Sequence, residues 1–425
     1  MALVVMLILF ILLLVLRFPI FIVIGLSSLA YIIISDIPPL LIGQRITTQL
    51  TSFSLLAIPF YLLLAAILNS GMATKRLIRF VVSIVGYIRG GLGIANVGIS
   101  MLFSGISGTA VADTAGLGKT LIPAMKKEGY PSAYAAAITG ASSTVGPIIP
   151  PSINIIIAGV TAGLSIYELF LAGIIPGILM GIAMMVTAYI IAVKRKFPKS
   201  NEFQVAEIWE SFKGCIWELG LIVFILYGVL GGLFTPTEAG AMGVFAALVL
   251  GFIIRRDVSL RDLYRSCVET AQFTGTVLII VGFAATYGWI IASERIPQTI
   301  SESILLITVV PILAILLVNL VLFVVGSVME TIASLVIVLP TLLVLGSSLG
   351  IDPIHMTMIV VINLTLGLLT PPIGVVLYIV TSISGDKIGS VIKEVMPFFI
   401  ANVVVLLLVI LFPSLTLWLP ELVNR

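Results

Sequence analysis

The stretch Ser142-Ser-Thr-Val-Gly-Pro-Ile-Ile-Pro-Pro-Ser-Ile153 constrains this chain more than any other. It lies in a run apolar enough for a membrane interior, yet it carries hydroxyls, a glycine and three prolines. Pro147, Pro150 and Pro151 remove backbone donors and clash with the preceding turn, so a continuous helix is opposed. In lipid such a break survives only where protein or a wet cavity satisfies the freed carbonyls. A second copy, Asn363-Leu-Thr-Leu-Gly-Leu-Leu-Thr-Pro-Pro-Ile-Gly374, follows much later. Gly146 matches Gly367, and Pro150-Pro151 matches Pro371-Pro372. Two interrupted helices at corresponding places in two halves point to a transporter binding site.

The rest of the chain agrees with a membrane interior. Of 425 residues, 60% are hydrophobic and 10% charged, and the mean hydropathy is +1.27. This excludes a soluble domain. The apolar runs are long and do not alternate, which excludes a β-barrel. The reading is an all-α polytopic membrane protein. Cys215 and Cys267 form no metal-spaced motif and read as small packing residues. The single histidine, His355, reads as interfacial. No basic region precedes the first apolar run, so no cleavable signal is expected.

Along the chain, 1–52 reads as two spans and an interfacial connection, hinged at Arg17-Phe-Pro19. A connecting span and an amphipathic arm carrying Lys75, Arg76, Arg79 and Arg89 fill 53–89. Residues 90–193 hold a hairpin (90–127), a broken helix (131–163) and a plain span. The first hairpin arm, 91–103, is about 20 Å as helix, too short for a ~30 Å core. A re-entrant hairpin with its tip at Ser104-Gly-Ile-Ser-Gly-Thr109 is therefore expected. After a polar linker at 194–214 the order restarts: paired spans (215–265), a span and arm (266–303), and a closing region (304–425). That last region holds a second hairpin (304–346, tip near Gly326-Ser-Val-Met-Glu-Thr331) and the second broken helix (354–384).

The offset between Pro19 and Pro236 is 217, and it also pairs Gly71 with Gly288, Pro123 with Pro340 and Asp113 with Glu330. Four more residues bring both breaks into register. Basic residues then orient the halves. With the Lys194–Lys199 loop in the cytoplasm, Arg17, the arm, Lys126, Lys127, the Arg255–Arg265 loop, Lys387 and Lys393 also fall inside. Arg45, Arg295 and Arg425 fall outside. Both termini are then periplasmic, the two hairpins open from opposite faces, and the repeats are inverted.

Half-helix N-termini suit a carboxylate, while unwound carbonyls and hydroxyls suit a hard monovalent cation. One Na⁺ site is expected per half. The first draws on Ser104, Gly105, Ser107 and Gly108 with Ser142, Ser143, Thr144, Gly146 and Pro147. The second draws on Gly326, Ser327 and Thr331 with Asn363, Thr365, Gly367 and Thr370. Thr109, Ser152 and Asn154 are candidate contacts to the carboxylate. The intramembrane acids Asp113 and Glu330 are open to three roles: proton carriers, shapers of the cation sites, or helix caps. Lys119 is expected to snorkel toward the basic face. No arginine falls at the midplane. With one histidine and no nucleophile–base set or P-loop, an intramembrane enzyme or an ATP-driven pump is excluded. No cofactor is expected beyond Na⁺ as coupling ion, and no nucleic-acid partner.

Several stretches resemble the large membrane subunit of TRAP (tripartite ATP-independent periplasmic) transporters. They are Phe103-Ser-Gly-Ile-Ser-Gly-Thr-Ala-Val-Ala-Asp113, Ile122-Pro-Ala-Met-Lys-Lys-Glu-Gly-Tyr130, Ser142–Ser152, Phe234-Thr-Pro-Thr-Glu-Ala239 and Thr370-Pro-Pro-Ile-Gly374. The resemblance covers essentially the whole chain. It implies an elevator-type fold similar to divalent-anion/sodium symporters, in a bacterial or archaeal inner membrane. It implies sodium-driven import of a carboxylate such as sialic acid, another sugar acid or a C4-dicarboxylate. It also implies a separate small four-helix membrane subunit and a periplasmic substrate-binding protein as partners. The rival is a stand-alone sodium/carboxylate symporter needing no binding protein.

Overall fold

Prolines and left-handed residues set the joints of this chain. Arg17, Asp36, Lys196, Arg256 and Arg295 all take positive φ, each just beyond a helix end. The structure, a computed structural model, describes residues 1–199 and 204–423, with the side chains at 106 and 107 outside that description. All its described elements are helices.

The first half begins with α1 (Ala2–Val15), α2 (Ile20–Ile34) and α3 (Leu40–Leu50). A short 3₁₀ turn leads into α4 (Ala57–Ser70), then α5 (Ala73–Val85). The hairpin is α6 (Gly91–Ser107) and α7 (Ala110–Lys127), the broken helix α8 (Ser132–Ser143) and α9 (Ile153–Ala162), and the span α10 (Ile166–Arg195). The second half runs α11 (Val205–Leu230), α12 (Pro236–Leu248), α13 (Leu260–Ser293) and α14 (Ile296–Ile307). It continues with hairpin α15 (Pro311–Val328) and α16 (Thr331–Ser348), then break α17 (Pro353–Gly367) and α18 (Val375–Ser384). It closes with α19 (Ile388–Leu411) and α20 (Ser414–Val423). Among the described residues, eight helices are long and apolar enough to cross a membrane, counting the helical turns 53–56 with α4 and 249–254 with α12.

Several boundaries move from their sequence-based places. Helices α1 and α2, expected as full spans, have 14 and 15 residues and fall below spanning length. The linker is shorter than 194–214, because α11 already begins at Val205. Its first turns are held by the arm: Arg79 pairs with Glu207 at 2.9 Å and with Glu210 at 3.1 Å, and Ser83 meets Ser211 at 2.8 Å. Residues 200–203 of that linker lie outside the described residues. The last span is divided at Pro413 between α19 and α20.

The hairpin arms also differ. Helix α6 has 17 residues and α7 18, about 26 Å each at 1.5 Å per residue, so shortness does not make them re-entrant. What places the first tip within the fold is its partner. The Ile153 amide donates to the Gly108 carbonyl at 3.3 Å, so the turn ends at the break between α8 and α9, against the N-terminus of α9.

From α7 onward the helices match at an offset of 221: α7 maps residue for residue onto α16, and Gly129 (φ 88°) onto Gly350 (φ 70°). The extra residues therefore fall before α7, not after the hairpin; Gly71, just past the end of α4, does not correspond to Gly288, which lies inside α13. This corrects the pairing of Asp113 with Glu330. Glu330 is the N-cap of α16, as Thr109 is of α7, while Asp113 sits at the level of Ser334.

The two halves interlock. Helix α18 packs on α7, and α9 packs on α16, so each half supplies the second segment of its break to the other half's hairpin. Helices α8 and α17 are almost entirely buried between these layers.

Candidate transport site

The expected tip residues Ser104, Gly105, Gly326 and Ser327 are not in turns. They belong to the last turns of α6 and α15. Hydroxyls that return a bond to the helix explain this: Ser104 donates to the Met101 carbonyl and Ser327 to that of Val324 at 2.8 Å. Such back-bonding lets serine stay helical where water is absent. The turns are Gly108-Thr109 and Met329-Glu330. The Ser107 side chain lies outside the described residues.

Gly108 takes φ 62°, and a Cβ there would come within 2.9 Å of the Ile153 amide and 3.1 Å of the Pro151 carbonyl. Only glycine fits both the conformation and the approach. Thr109 then caps α7, accepting from the Ala112 amide at 3.2 Å. In the second half the Ser327 carbonyl accepts from Ile373 at 3.2 Å and Gly374 at 3.1 Å. Gly326 and Gly367 meet backbone to backbone: a Cβ on Gly367 would lie 2.7 Å from the Gly326 Cα. Thus each hairpin is fastened to its own half's break by main-chain contacts.

Asp113 is fully buried, and its Oδ2 occupies the space a Gly146 side chain would need. The acid therefore faces the break. Glu330 behaves otherwise. Its Oε2 accepts from the Ile332 amide at 2.9 Å and the Ala333 amide at 3.4 Å, which is the capping role.

A polar seam joins the first hairpin to α8. Asn96 donates to Thr139 Oγ1 at 2.7 Å, Ser100 meets Ser142 at 2.8 Å, and Thr114 meets Ser143 at 2.5 Å. Thr144 donates to the Ala141 carbonyl at 2.7 Å, and Ser152 both donates to the Pro147 carbonyl and caps α9 through the Ile155 amide. Asn154 is buried in the first turn of α9. In the second half Asn363 Nδ2 donates to Asn319 Oδ1 at 2.6 Å, Thr365 to the Val361 carbonyl at 2.7 Å, and Thr370 to that of Gly367 at 2.7 Å. The buried Thr331 Oγ1, Ser334 Oγ and Asn363 Oδ1 have no hydrogen-bond partner within the protein. Sequence reading missed Asn96, Ser100, Thr114, Thr139, Asn319 and Ser334. The i, i+4 spacing of Asn96, Ser100 and Ser104 along one face of α6 was the available signal.

The donor sets are hydroxyl, amide and carbonyl oxygens beside one acid. Among the described residues no cluster of three His, Cys, Asp or Glu could hold a metal ion. Neutral oxygens of this kind fit a hard monovalent cation better than a divalent one, which is usually bound by several carboxylates.

The two breaks differ in cover. Pro150 and Pro151 are buried, with Phe170, Ile225 and Val229 against them, whereas Pro371 and Pro372 are exposed. Both Pro-Pro bonds are cis.

Interlocked broken helices, each held by a hairpin, in an all-helical chain with eight candidate spans, define a polytopic membrane transport protein. The chain belongs to the family described as the tripartite ATP-independent periplasmic transporter, DctM component, whose profile matches residues 7–415. It is 38% identical over 380 residues to the sialic acid TRAP transporter large permease protein SiaM of Vibrio cholerae, covering 89% of each chain. It is 36% identical to the 2,3-diketo-L-gulonate TRAP transporter large permease protein YiaN of Escherichia coli, covering 88% of each. It is also 36% identical to the C4-dicarboxylate TRAP transporter large permease protein DctM of Pseudomonas aeruginosa, covering 87% and 86%. The fold is that of the Alcanivorax borkumensis YdaH transporter, with TM-score 0.61 and 14% identity over 88% of this chain and 87% of that one.

Proposed function

We propose that this chain is a large permease subunit that imports a carboxylate down a sodium gradient, by an elevator movement of its hairpins and broken helices. A periplasmic binding protein delivers the substrate, and a small membrane subunit braces the scaffold. In a bacterial or archaeal inner membrane, with both termini periplasmic and the two halves inverted, each hairpin then reaches its break from the opposite face.

The observation that carries this reading is the closure of Gly108-Thr109 on the first break, with Asp113 against Gly146. Carbonyls and hydroxyls there supply the oxygens for Na⁺, and Asp113 supplies a nearby negative charge that favours a cation. The N-terminus of α9, capped by Ser152, and that of α7, capped by Thr109, leave partial positive charge for a carboxylate. Residues at the second break, including Thr331, Asn363 and Thr365, offer the second Na⁺ its oxygens.

Reconstitution tests it. The chain, its small subunit and its binding protein in proteoliposomes should accumulate labelled sialic acid, 2,3-diketo-L-gulonate or a C4-dicarboxylate only with an inward Na⁺ gradient. Accumulation without sodium would overturn the coupling. Accumulation without the binding protein would favour a stand-alone symporter.

A further inference from the structure

A second polar space lies on the far side of α7 from the helix breaks. Asp113, Thr114, Leu117 and Gly118 of α7 are buried toward the core. The opposite face, from Ala112 to Thr120, lines a crevice of about 560 Å³ shared with α4, the start of α5, and α13. That volume accommodates a small organic acid. The crevice begins one turn from the hairpin tip at Thr109 and ends among the basic residues of the α5 and α13 ends.

The charges inside do not cancel. Asp262 accepts from the Ser259 amide and hydroxyl as a helix cap, and Glu269 is paired with Arg265 at 2.9 Å. Lys75 and Lys119 line the same space, and among the described residues neither has an ion-pair partner. Thr270 also lines it; its hydroxyl is buried and has no hydrogen-bond partner within the protein. The Asn69 amide lies 4.0 Å from where a Gly116 Cβ would stand, with its oxygen already taken by Thr74. With Arg265 and Glu269 paired, Lys75 and Lys119 outnumber the single acid Asp262, so donors and an excess of positive charge converge on this space.

We propose that this crevice is an anion vestibule, where Lys75, Lys119 and the Thr270 hydroxyl receive a small carboxylate or sulfonate leaving the helix-break site. It rests on the transport reading above. It adds a separate low-affinity station, reached past the Gly108-Thr109 turn. An excess of positive charge between low-dielectric walls concentrates anions, so a released anion would pass through it rather than return.

Charged thiol reagents test this without any transport step. In the full chain with Cys215→Ser and Cys267→Ser, a reporter Ala115→Cys is placed on the crevice face. It is labelled with anionic methanethiosulfonate ethylsulfonate and with the cationic ethyltrimethylammonium reagent, each scaled to its rate with a free thiol. The anionic reagent should be favoured several-fold, and Lys75→Gln with Lys119→Gln should bring the ratio to one or below. Millimolar succinate should slow labelling at least twofold more than sodium chloride of equal ionic strength. A ratio near one in the parent, a ratio untouched by the lysine changes, equal slowing by chloride, or no labelling at all would each overturn the vestibule. Thr120→Cys serves as the reporter if Ala115→Cys does not accumulate. Absence of sodium-driven uptake by the unsubstituted chain with its partners, with the ratio intact, would instead overturn the transport reading.

Discussion

Asp113 and Gly146 face each other across the first hairpin and the first break, and Gly146 cannot gain a side chain without moving the Asp113 carboxylate. The contact ties a buried acid on α7 to the one residue in the Thr-Val-Gly-Pro turn that has no side chain.

Gly146→Ala should therefore lower sodium-driven uptake at least tenfold, since the new methyl must displace the Asp113 carboxylate. Asp113→Ala should lower it as well. The double variant should be no worse than the poorer single one, because both act on the same contact. Additive losses in an uptake assay would show that the two residues act separately.

At the second break the close approach is between backbones, which leaves less room to adjust. Gly367→Ala places its methyl 2.7 Å from Gly326 Cα, whereas Gly326→Ala meets the Leu364 carbonyl at 3.0 Å. Both should reduce thermal stability of the purified complex, with Gly367→Ala the more severe. Overpacking of this kind costs about 1–3 kcal/mol. Equal melting temperatures for wild type and Gly367→Ala would contradict the tight approach.

Glu330 and Thr109 hold the same position, the N-cap of the returning hairpin arm. Glu330→Thr should then keep most uptake, and Glu330→Ala should destabilise by about 1 kcal/mol, the usual worth of a cap. Thermal unfolding beside uptake measures both. If Glu330→Thr folds normally but no longer transports, the carboxylate charge is needed for more than capping.

Thr144 and Thr365 test the cation sites. Either change to alanine should raise the sodium concentration for half-maximal uptake several-fold, with folded yield preserved. Unchanged sodium dependence in both would remove these threonines from the cation sites.

The arm offers a prediction away from the site. Glu218 is 1% exposed and receives Arg76 at 2.8 Å and Arg255 at 3.0 Å, and Arg76 also reaches Asp257 at 2.7 Å. Glu218→Ala leaves two guanidinium groups without their shared acid and should free α5, seen as faster amide exchange over 73–85. Arg76→Ala should loosen α5 at least as much, since it removes the contacts to both Glu218 and Asp257, although Arg255 still neutralises Glu218. Removing one partner of a buried pair is the costly change.

How much of this was legible follows from residue chemistry. The Pro-Pro pairs announced both breaks because proline acts through its own backbone, whatever its neighbours. The tips were drawn too wide: the turns Gly108-Thr109 and Met329-Glu330 lie at the C-terminal ends of the expected stretches, because serine and glycine do not stop a buried helix whose hydroxyls return bonds to it, as Ser104 and Ser327 do. The pairing of Asp113 with Glu330 failed for a related reason: two acids near one diagonal outweighed the helix register, and the four extra residues sit earlier in the chain. Asn96, Ser100, Thr114 and Asn319 stayed hidden because their meaning lies in partners 29 to 44 residues away. The reciprocal packing of α9 on α16 and α18 on α7 has no local signature at all.

That exchange also sets a schedule for biosynthesis. Helix α9 is complete at Ala162, but its partner α16 begins at Thr331. At 5–20 residues per second the ribosome needs on the order of 10–30 s to supply it. For that interval the first break waits in the bilayer without its cover, so the emerging half-chain must be sheltered by lipid, translocon or chaperone until the second half arrives.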